Sequence, residues 1–145
     1  MGQWVFPTTR WAIYLRDNLR CIYCRVTLAE ILAARDENFL TLDHLLSRGR
    51  GGCNTSWNLV TACYECNDHK GSWSLARFCR EAGYNGSTIR GRVSRARARD
   101  IEAFRPAAKI LLGRLPGLPA LRVAGVVEDH DWIVKRRFGD SMDGD

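Results

Sequence analysis

The sequence lacks any apolar stretch that approaches the roughly 20 residues needed to cross a membrane. Its start also lacks the form of a secretory signal, because the apolar run from Trp11 to Leu15 is short and lies between Arg10 and Arg16. There is no internal repeat, and no linker long enough to separate two independent domains. We therefore expect a single domain spanning residues 1–145, with no membrane partner.

Acidic residues are in the minority, with 16 Asp and Glu against 22 Lys and Arg, a net charge of +6 and a pI near 9.3. Such a balance favours an anionic partner, and nucleic acid is the first candidate. Eight arginines and three acidic residues fall between Trp73 and Arg105. On a helix, Arg92, Arg95 and Arg99 would share one stripe that pairs with successive phosphates. The alternative interpretation is a charged helix face that contacts only water.

Four of the six cysteines form two C-x-x-C pairs, the pattern that presents two thiolates from one tight turn to a tetrahedral zinc ion. These residues are Cys21, Cys24, Cys63 and Cys66. Zinc in a reducing compartment is favoured over disulfides, and thiol–disulfide exchange lacks its usual βαβ context. We expect Cys53 and Cys79 to be buried free thiols.

An Asp-His dipeptide, Asp43-His44, lies between the two cysteine pairs. At the end of a strand the chain can turn both side chains toward one cleft. The carboxylate is a ligand for a hard cation, and the imidazole can act as a general base near neutral pH. Phosphodiester hydrolysis requires both functions, because water must lose a proton while a metal neutralises the developing charge.

Residues 21–70 closely resemble the HNH endonuclease family, which has a ββα-metal fold. The matching positions are Asp43-His44, Leu45-Leu46, Gly51-Gly52, Asn58-Leu59, Cys63, Cys66, Asn67 and Lys70. Ser47 stands where the family commonly has Pro, and Asn67 stands where many members have a final His. An amide oxygen suits Mg²⁺ or Mn²⁺ better than a soft metal, so this departure favours those ions.

The resemblance implies a role for each matching side chain. His44 would be the general base, Asp43 and Asn67 would hold the catalytic Mg²⁺ or Mn²⁺, and Asn58 would tie the loop and orient His44. His69 could replace Asn67, but it points about 200° away around the helix, so Asn67 is preferred. Phosphate contacts are expected from Lys70, Arg48 and Arg50, and from the stripe Arg92, Arg95 and Arg99.

The expected fold is α+β, a ββα-metal core on a four-cysteine zinc site, with an N-terminal arm and helix at 1–20 and the core at 21–71. Strands are predicted at 39–42, leading to Asp43-His44, and at 57–61, and a surface helix is predicted at 28–35. A mainly helical, arginine-rich extension covers 72–138, in which Pro106 breaks the basic helix. Residues 139–145 are predicted to be a disordered acidic tail.

The sequence thus predicts an intracellular, bacterial or phage-encoded DNA endonuclease with structural zinc and a catalytic divalent ion. Double-stranded DNA is the expected partner, with a homodimer or a larger nuclease or packaging machinery as possible assemblies. The alternative is a non-catalytic zinc-ribbon module that binds nucleic acid. A second Asp-His, at Asp129-His130, has no Gly-Gly, Asn-Leu or cysteine pair around it, which indicates a surface role.

Overall fold

The computed structural model describes residues 5–34 and 37–114 of the chain. The predictions for the remainder of the extension, residues 115–138, and for the tail, residues 139–145, lie outside the described residues. Within the described part, no helix is both long and apolar enough to cross a membrane. The secondary structure mixes helices with one small sheet, which confirms the predicted α+β class.

A two-stranded antiparallel hairpin forms the centre of the fold. The first strand, β1, spans Leu40–His44, and the second, β2, spans Leu59–Cys63, with Leu40 opposite Cys63 and His44 opposite Leu59. The prediction of strand 57–61 was two residues early, because Ser56–Asn58 form a turn of 3-10 helix. As predicted, β1 delivers Asp43 and His44 at its end.

Six helices surround this hairpin in the described part of the chain. Their limits are Pro7–Arg16 for α1, Leu28–Ala34 for α2, Tyr64–Lys70 for α3, Leu75–Ala82 for α4, Gly86–Ala98 for α5 and Arg105–Arg114 for α6. Helix α3 follows β2 without a loop, and the thiol of Cys63 caps it by accepting a hydrogen bond from the backbone N–H of Cys66 at 3.5 Å. Two strands followed directly by this helix give the predicted ββα order.

The arginine-rich extension departs from its prediction in where its helices end. Helix α5 begins at a cap: Asn85 Oδ1 accepts a hydrogen bond from Thr88 N at 3.0 Å. Helix α5 ends at Ala98, because a separate 3-10 turn, capped by Asp100, follows it. Pro106 therefore stands in the first turn of α6, where a proline is tolerated, and Arg99 lies just outside the basic helix.

A buried ion pair covers the edge of β2 that faces away from β1. Arg16 and Asp17 at the end of α1 are 2.7 Å apart, and the side chain of each is only 2% exposed. Arg16 donates to Leu59 O at 2.8 Å, and Asp17 accepts from Thr61 N at 2.8 Å. These bonds satisfy backbone groups that an open sheet edge would leave unpaired, and they fix α1 against the hairpin.

Candidate active site

The two C-x-x-C pairs meet in one cluster in which all four sulfurs lie within 4.8 Å of one another. A tetrahedral zinc ion with bonds of about 2.3 Å requires sulfurs about 3.8 Å apart, and Cys24 Sγ lies 3.7 Å from Cys63 Sγ. None of these cysteines forms a disulfide. The cluster therefore fits a tetrahedral metal ion such as zinc.

Hydrogen bonds among the four thiols shift their pKa values in both directions. The thiol of Cys21 lowers the pKa of Cys63 to about 7 and also lowers the pKa of Cys24, while the pKa values of Cys21 and Cys66 are raised by neighbouring thiols and by burial. A metal ion binds thiolates, so its binding would release protons from this cluster. Outside the cluster, Cys79 is buried as predicted, whereas Cys53 is exposed, because it lies in the surface loop after the glycine pair.

Tyr23, inside the first cysteine pair, connects the cluster to the expected catalytic carboxylate. Its hydroxyl donates a short hydrogen bond to Asp43 Oδ2, and the residue is 1% exposed. Burial raises the pKa of Tyr23, and the charge of Asp43 raises it further, so the hydroxyl keeps its proton and donates. Sequence reasoning missed this residue, although an aromatic residue between two metal-ligand cysteines could have indicated it.

Asp43 is 3% exposed and is also paired with Lys70 from α3. Lys70 Nζ lies 3.3 Å from Asp43 Oδ2 and donates to His44 O at 2.9 Å. Burial raises the pKa of the Asp43 carboxyl, while Lys70 and the hydroxyl of Tyr23 oppose that rise. The prediction that Lys70 reaches a phosphate is therefore corrected. The Lys70 side chain is 0% exposed, because the last turn of α3 packs onto the hairpin.

Asn67 and His69 lie on different sides of α3. Asn67 faces the hairpin, where its Nδ2 donates to Leu42 O at 3.1 Å. His69 is exposed, and its ring lies edge-on to Phe78 with the ring centres 5.4 Å apart. The structure thus places the Asn67 amide beside the strand that carries Asp43, and it places His69 elsewhere.

His44 is half-buried and has a partner that sequence reasoning missed. Its Nε2 lies 2.8 Å from Asn54 Oδ1. An amide oxygen accepts hydrogen bonds, so Nε2 is the donor in this contact. Asn54 follows the glycine pair by two residues, and only the folded loop brings it next to the imidazole.

Asn58 ties together the loop between the strands. Its Oδ1 accepts from Leu46 N at 2.9 Å, and its Nδ2 donates to Leu46 O and to Cys53 O, each at 2.9 Å. Gly52 packs directly against this turn, since an added Cβ would lie 1.7 Å from Leu46 O and 2.9 Å from Asn58 Nδ2. Gly51 adopts a φ of +90°, a left-handed conformation that favours glycine. The Gly-Gly and the Asn therefore form one interlocked turn behind His44.

The arginines expected to contact phosphate fall into two groups. Arg48, Arg50 and Arg95 are exposed, the first two on a short 3-10 turn in the loop after His44. Arg92 is half-buried and donates to Ile22 O and Tyr23 O, and Arg99 donates to Arg16 O. The last two arginines therefore also hold the extension against the cysteine cluster and against α1.

Asp43 and Asn67 carry oxygen atoms of the kind that a hard divalent ion takes. Asp43 offers carboxylate oxygens and Asn67 an amide oxygen, both donors that Mg²⁺ and Mn²⁺ prefer. In the described part of the chain, the cysteine cluster is the one grouping of three or more His, Cys, Asp or Glu within metal-binding range. A second ion would thus have few protein ligands, which is the usual situation for Mg²⁺.

Comparison with known proteins gives an independent view of the same segment. A family model described as HNH endonuclease matches residues 21–82. The CRISPR-associated endonuclease Cas9 of Corynebacterium diphtheriae is 32% identical to this chain over 89 residues, which are 61% of this chain and 8% of that protein. The chain thus covers a small part of that relative. No solved structure matches the chain.

Proposed function

We propose that the chain, whose residues 21–82 match a family model described as HNH endonuclease, is a metal-dependent DNA endonuclease that hydrolyses phosphodiester bonds. The observation that supports this proposal is the packing of α3 against the strand that ends in Asp43 and His44. Asn67 on α3 donates to Leu42 O in that strand, one residue before Asp43.

In the proposed reaction, His44 is the general base. Its Nδ1 takes a proton from the water that attacks phosphorus, while Asn54 holds the ring through Nε2. Asn58 fixes the loop that follows His44. When held by Asp43 and Asn67, an ion of the Mg²⁺ or Mn²⁺ class supplies charge stabilisation to the transition state and to the leaving 3′ oxygen. The products are a 5′ phosphate and a 3′ hydroxyl.

Lys70 has a supporting part in this proposal, in place of the phosphate contact first expected. Its ammonium group lies against the Asp43 carboxylate and the His44 carbonyl. An unpaired buried carboxylate is costly, so this partner, together with Tyr23, favours the charged form of Asp43 and fixes its position. The carboxylate has more acceptor positions than these two donors use, so it can still bind a cation.

Duplex DNA is the proposed substrate, cut one strand at a time by each site. The domain's family and the matched Cas9 protein, which is named as an endonuclease, support a nucleic-acid substrate. Arg48 and Arg50 are exposed in the loop that follows the base and are proposed to contact phosphates near the scissile bond. A double-strand break then requires two protomers or two visits by one protein.

A metal-exchange experiment tests the proposal against the alternative of a non-catalytic zinc module. The protein is treated with EDTA under conditions that leave zinc bound, and zinc is counted by atomic absorption. We expect one zinc per chain throughout, nicking of supercoiled plasmid to stop in EDTA, and Mg²⁺ or Mn²⁺ to restore it. Binding of plasmid without nicking in any divalent metal would instead support the non-catalytic module.

A further inference from the structure

A groove of about 350 Å³ opens between the end of α1, the first cysteine pair and α5. Five arginines and one acidic residue line it. These are Arg16, Arg25, Arg92, Arg95, Arg99 and Asp17. Asp17 is already paired with Arg16 at 2.7 Å and accepts from Thr61 N, so it leaves the positive charge of the other four arginines uncompensated.

Two of these four arginines have their hydrogen bonds directed into the protein. Arg92 donates through Nη1 to Ile22 O and Tyr23 O, and Arg99 donates through Nη1 to Arg16 O. In the part of the chain that the structure describes, neither Arg25 nor Arg95 has a side-chain hydrogen bond or ion pair. Their guanidinium groups are therefore the donors that this groove offers to a ligand.

Arg25 is held at the groove by the turn of the cysteine pair. Its backbone N–H donates to Cys21 O at 3.1 Å, and its φ of 72° is rare for a residue with a side chain. Arg92 and Arg95 line the same groove, so Arg25 lies among like charges. Like charges repel one another, so the arrangement is relieved when an anion binds between them.

The groove lies across β2 from the proposed catalytic residues. One edge of β2 pairs with β1, which ends in His44, whereas the opposite edge is bonded to Arg16, Asp17 and Ile22, which line the groove. A ligand that touches both places must extend past the hairpin. A DNA strand does this, because its phosphates repeat along its length.

We propose that Arg25 and Arg95 bind a backbone phosphate of the DNA at this groove, away from the bond that is cut. The inference rests on the proposed function and adds a second point of attachment to it. Arg25 and Arg95 supply the forked N–H donors that phosphate oxygens accept, while Arg92 and Arg99 fix the walls. Contacts of this kind position the enzyme on DNA without reading its sequence.

The salt dependence of duplex binding tests this inference. A double variant, Arg25→Gln with Arg95→Gln, is compared with a control that loses the same charge elsewhere, Arg80→Gln with Arg90→Gln, at two exposed positions that do not line the groove. The logarithm of the DNA-binding constant is measured against log[salt] on two duplexes of unrelated sequence. Because the two arginines share one phosphate, and each lost phosphate contact lowers the slope by about 0.9, the groove variant should lose about 0.9 and the control much less.

A charge-keeping variant and a zinc assay guard against other causes. Arg25→Lys with Arg95→Lys should keep most of the slope, because lysine still pairs with phosphate. If the arginines serve only to balance the negative charge of the metal-bound thiolates, the glutamine variant will lose zinc while its slope equals that of the control. That result would overturn the inference, as would equal slopes with zinc retained.

The outcomes also separate this inference from the proposed function. If the groove variant has the same slope as its control and still nicks plasmid, the groove inference is wrong and the proposed nuclease function stands. If the wild-type protein neither binds nor cuts duplex DNA, both are wrong. A lower slope and slower nicking at 0.1 M salt, with the nicking rate restored at saturating protein, supports both.

Discussion

Replacing Asn58 by Asp tests the loop that the hairpin encloses. The side chains have nearly the same shape, but Asp has no Nδ2 to donate. In the native protein that nitrogen donates to Leu46 O and Cys53 O, each at 2.9 Å, and Asn58 is 7% exposed. The variant would leave both carbonyls without this donor and bring an anionic oxygen against them.

The expected cost follows from those two contacts. A buried polar group left unsatisfied costs about 1–3 kcal/mol. Leaving both carbonyls without a donor should therefore lower the free energy of unfolding by about 2–6 kcal/mol. Stability totals about 5–15 kcal/mol for a typical domain. The substitution should therefore remove a large share of the protein's stability. Because the loop around His44 is disturbed, the nicking rate should fall as well.

Urea unfolding of the zinc-loaded protein, followed by tryptophan fluorescence, measures this loss. The matched control is Asn85→Asp, because Asn85 uses only its Oδ1, which accepts from Thr88 N at 3.0 Å. Asp caps a helix as well as Asn does, so the control should change stability by less than about 0.5 kcal/mol. Equal unfolding free energies for the two variants would refute the role assigned to Asn58.

Three further predictions address the parts that surround the base. Gly52→Ala should destabilise the protein by several kcal/mol or prevent folding, because the new Cβ would lie 1.7 Å from Leu46 O. The control is Gly49→Ala, whose Cβ would meet nothing within 4 Å and which should leave thermal unfolding nearly unchanged. Tyr23→Phe should keep zinc but slow nicking by roughly tenfold, through loss of about 1–2 kcal/mol from its bond to Asp43; an unchanged rate would count against that link. Zinc removal by a strong chelator should unfold the core, seen as lost circular dichroism and lost nicking that Mg²⁺ alone does not restore; retained structure would contradict a structural metal.

The sequence predicted the parts of the site that depend on local pattern and motif. Two cysteine pairs, a β-prone run before Asp43, and the helix that starts after Cys63 are each readable within a few residues, and the structure confirms the resulting α+β class. The strand after Trp57 was placed early, because a 3-10 turn over Ser56–Asn58 leaves no periodic signal.

The remainder depended on contacts between residues far apart in the chain. Lys70 has the charge of a phosphate ligand, and only the packing of α3 on the hairpin turns it inward to Asp43. Tyr23 and Asn54 reach Asp43 and His44 across 20 and 10 residues, distances that no local pattern encodes. The stripe of Arg92, Arg95 and Arg99 was divided because Asp100 starts a new turn.

The nicking of one supercoiled plasmid by matched histidine variants tests the central claim most directly. His44→Ala is compared with His130→Ala, which changes the second Asp-His of the sequence and lies outside the described residues. With zinc content and DNA binding equal to wild type, His44→Ala should nick about 10²–10⁴-fold more slowly in Mg²⁺, the usual contribution of a general base, while His130→Ala nicks at the wild-type rate. Wild-type nicking by His44→Ala would contradict the account.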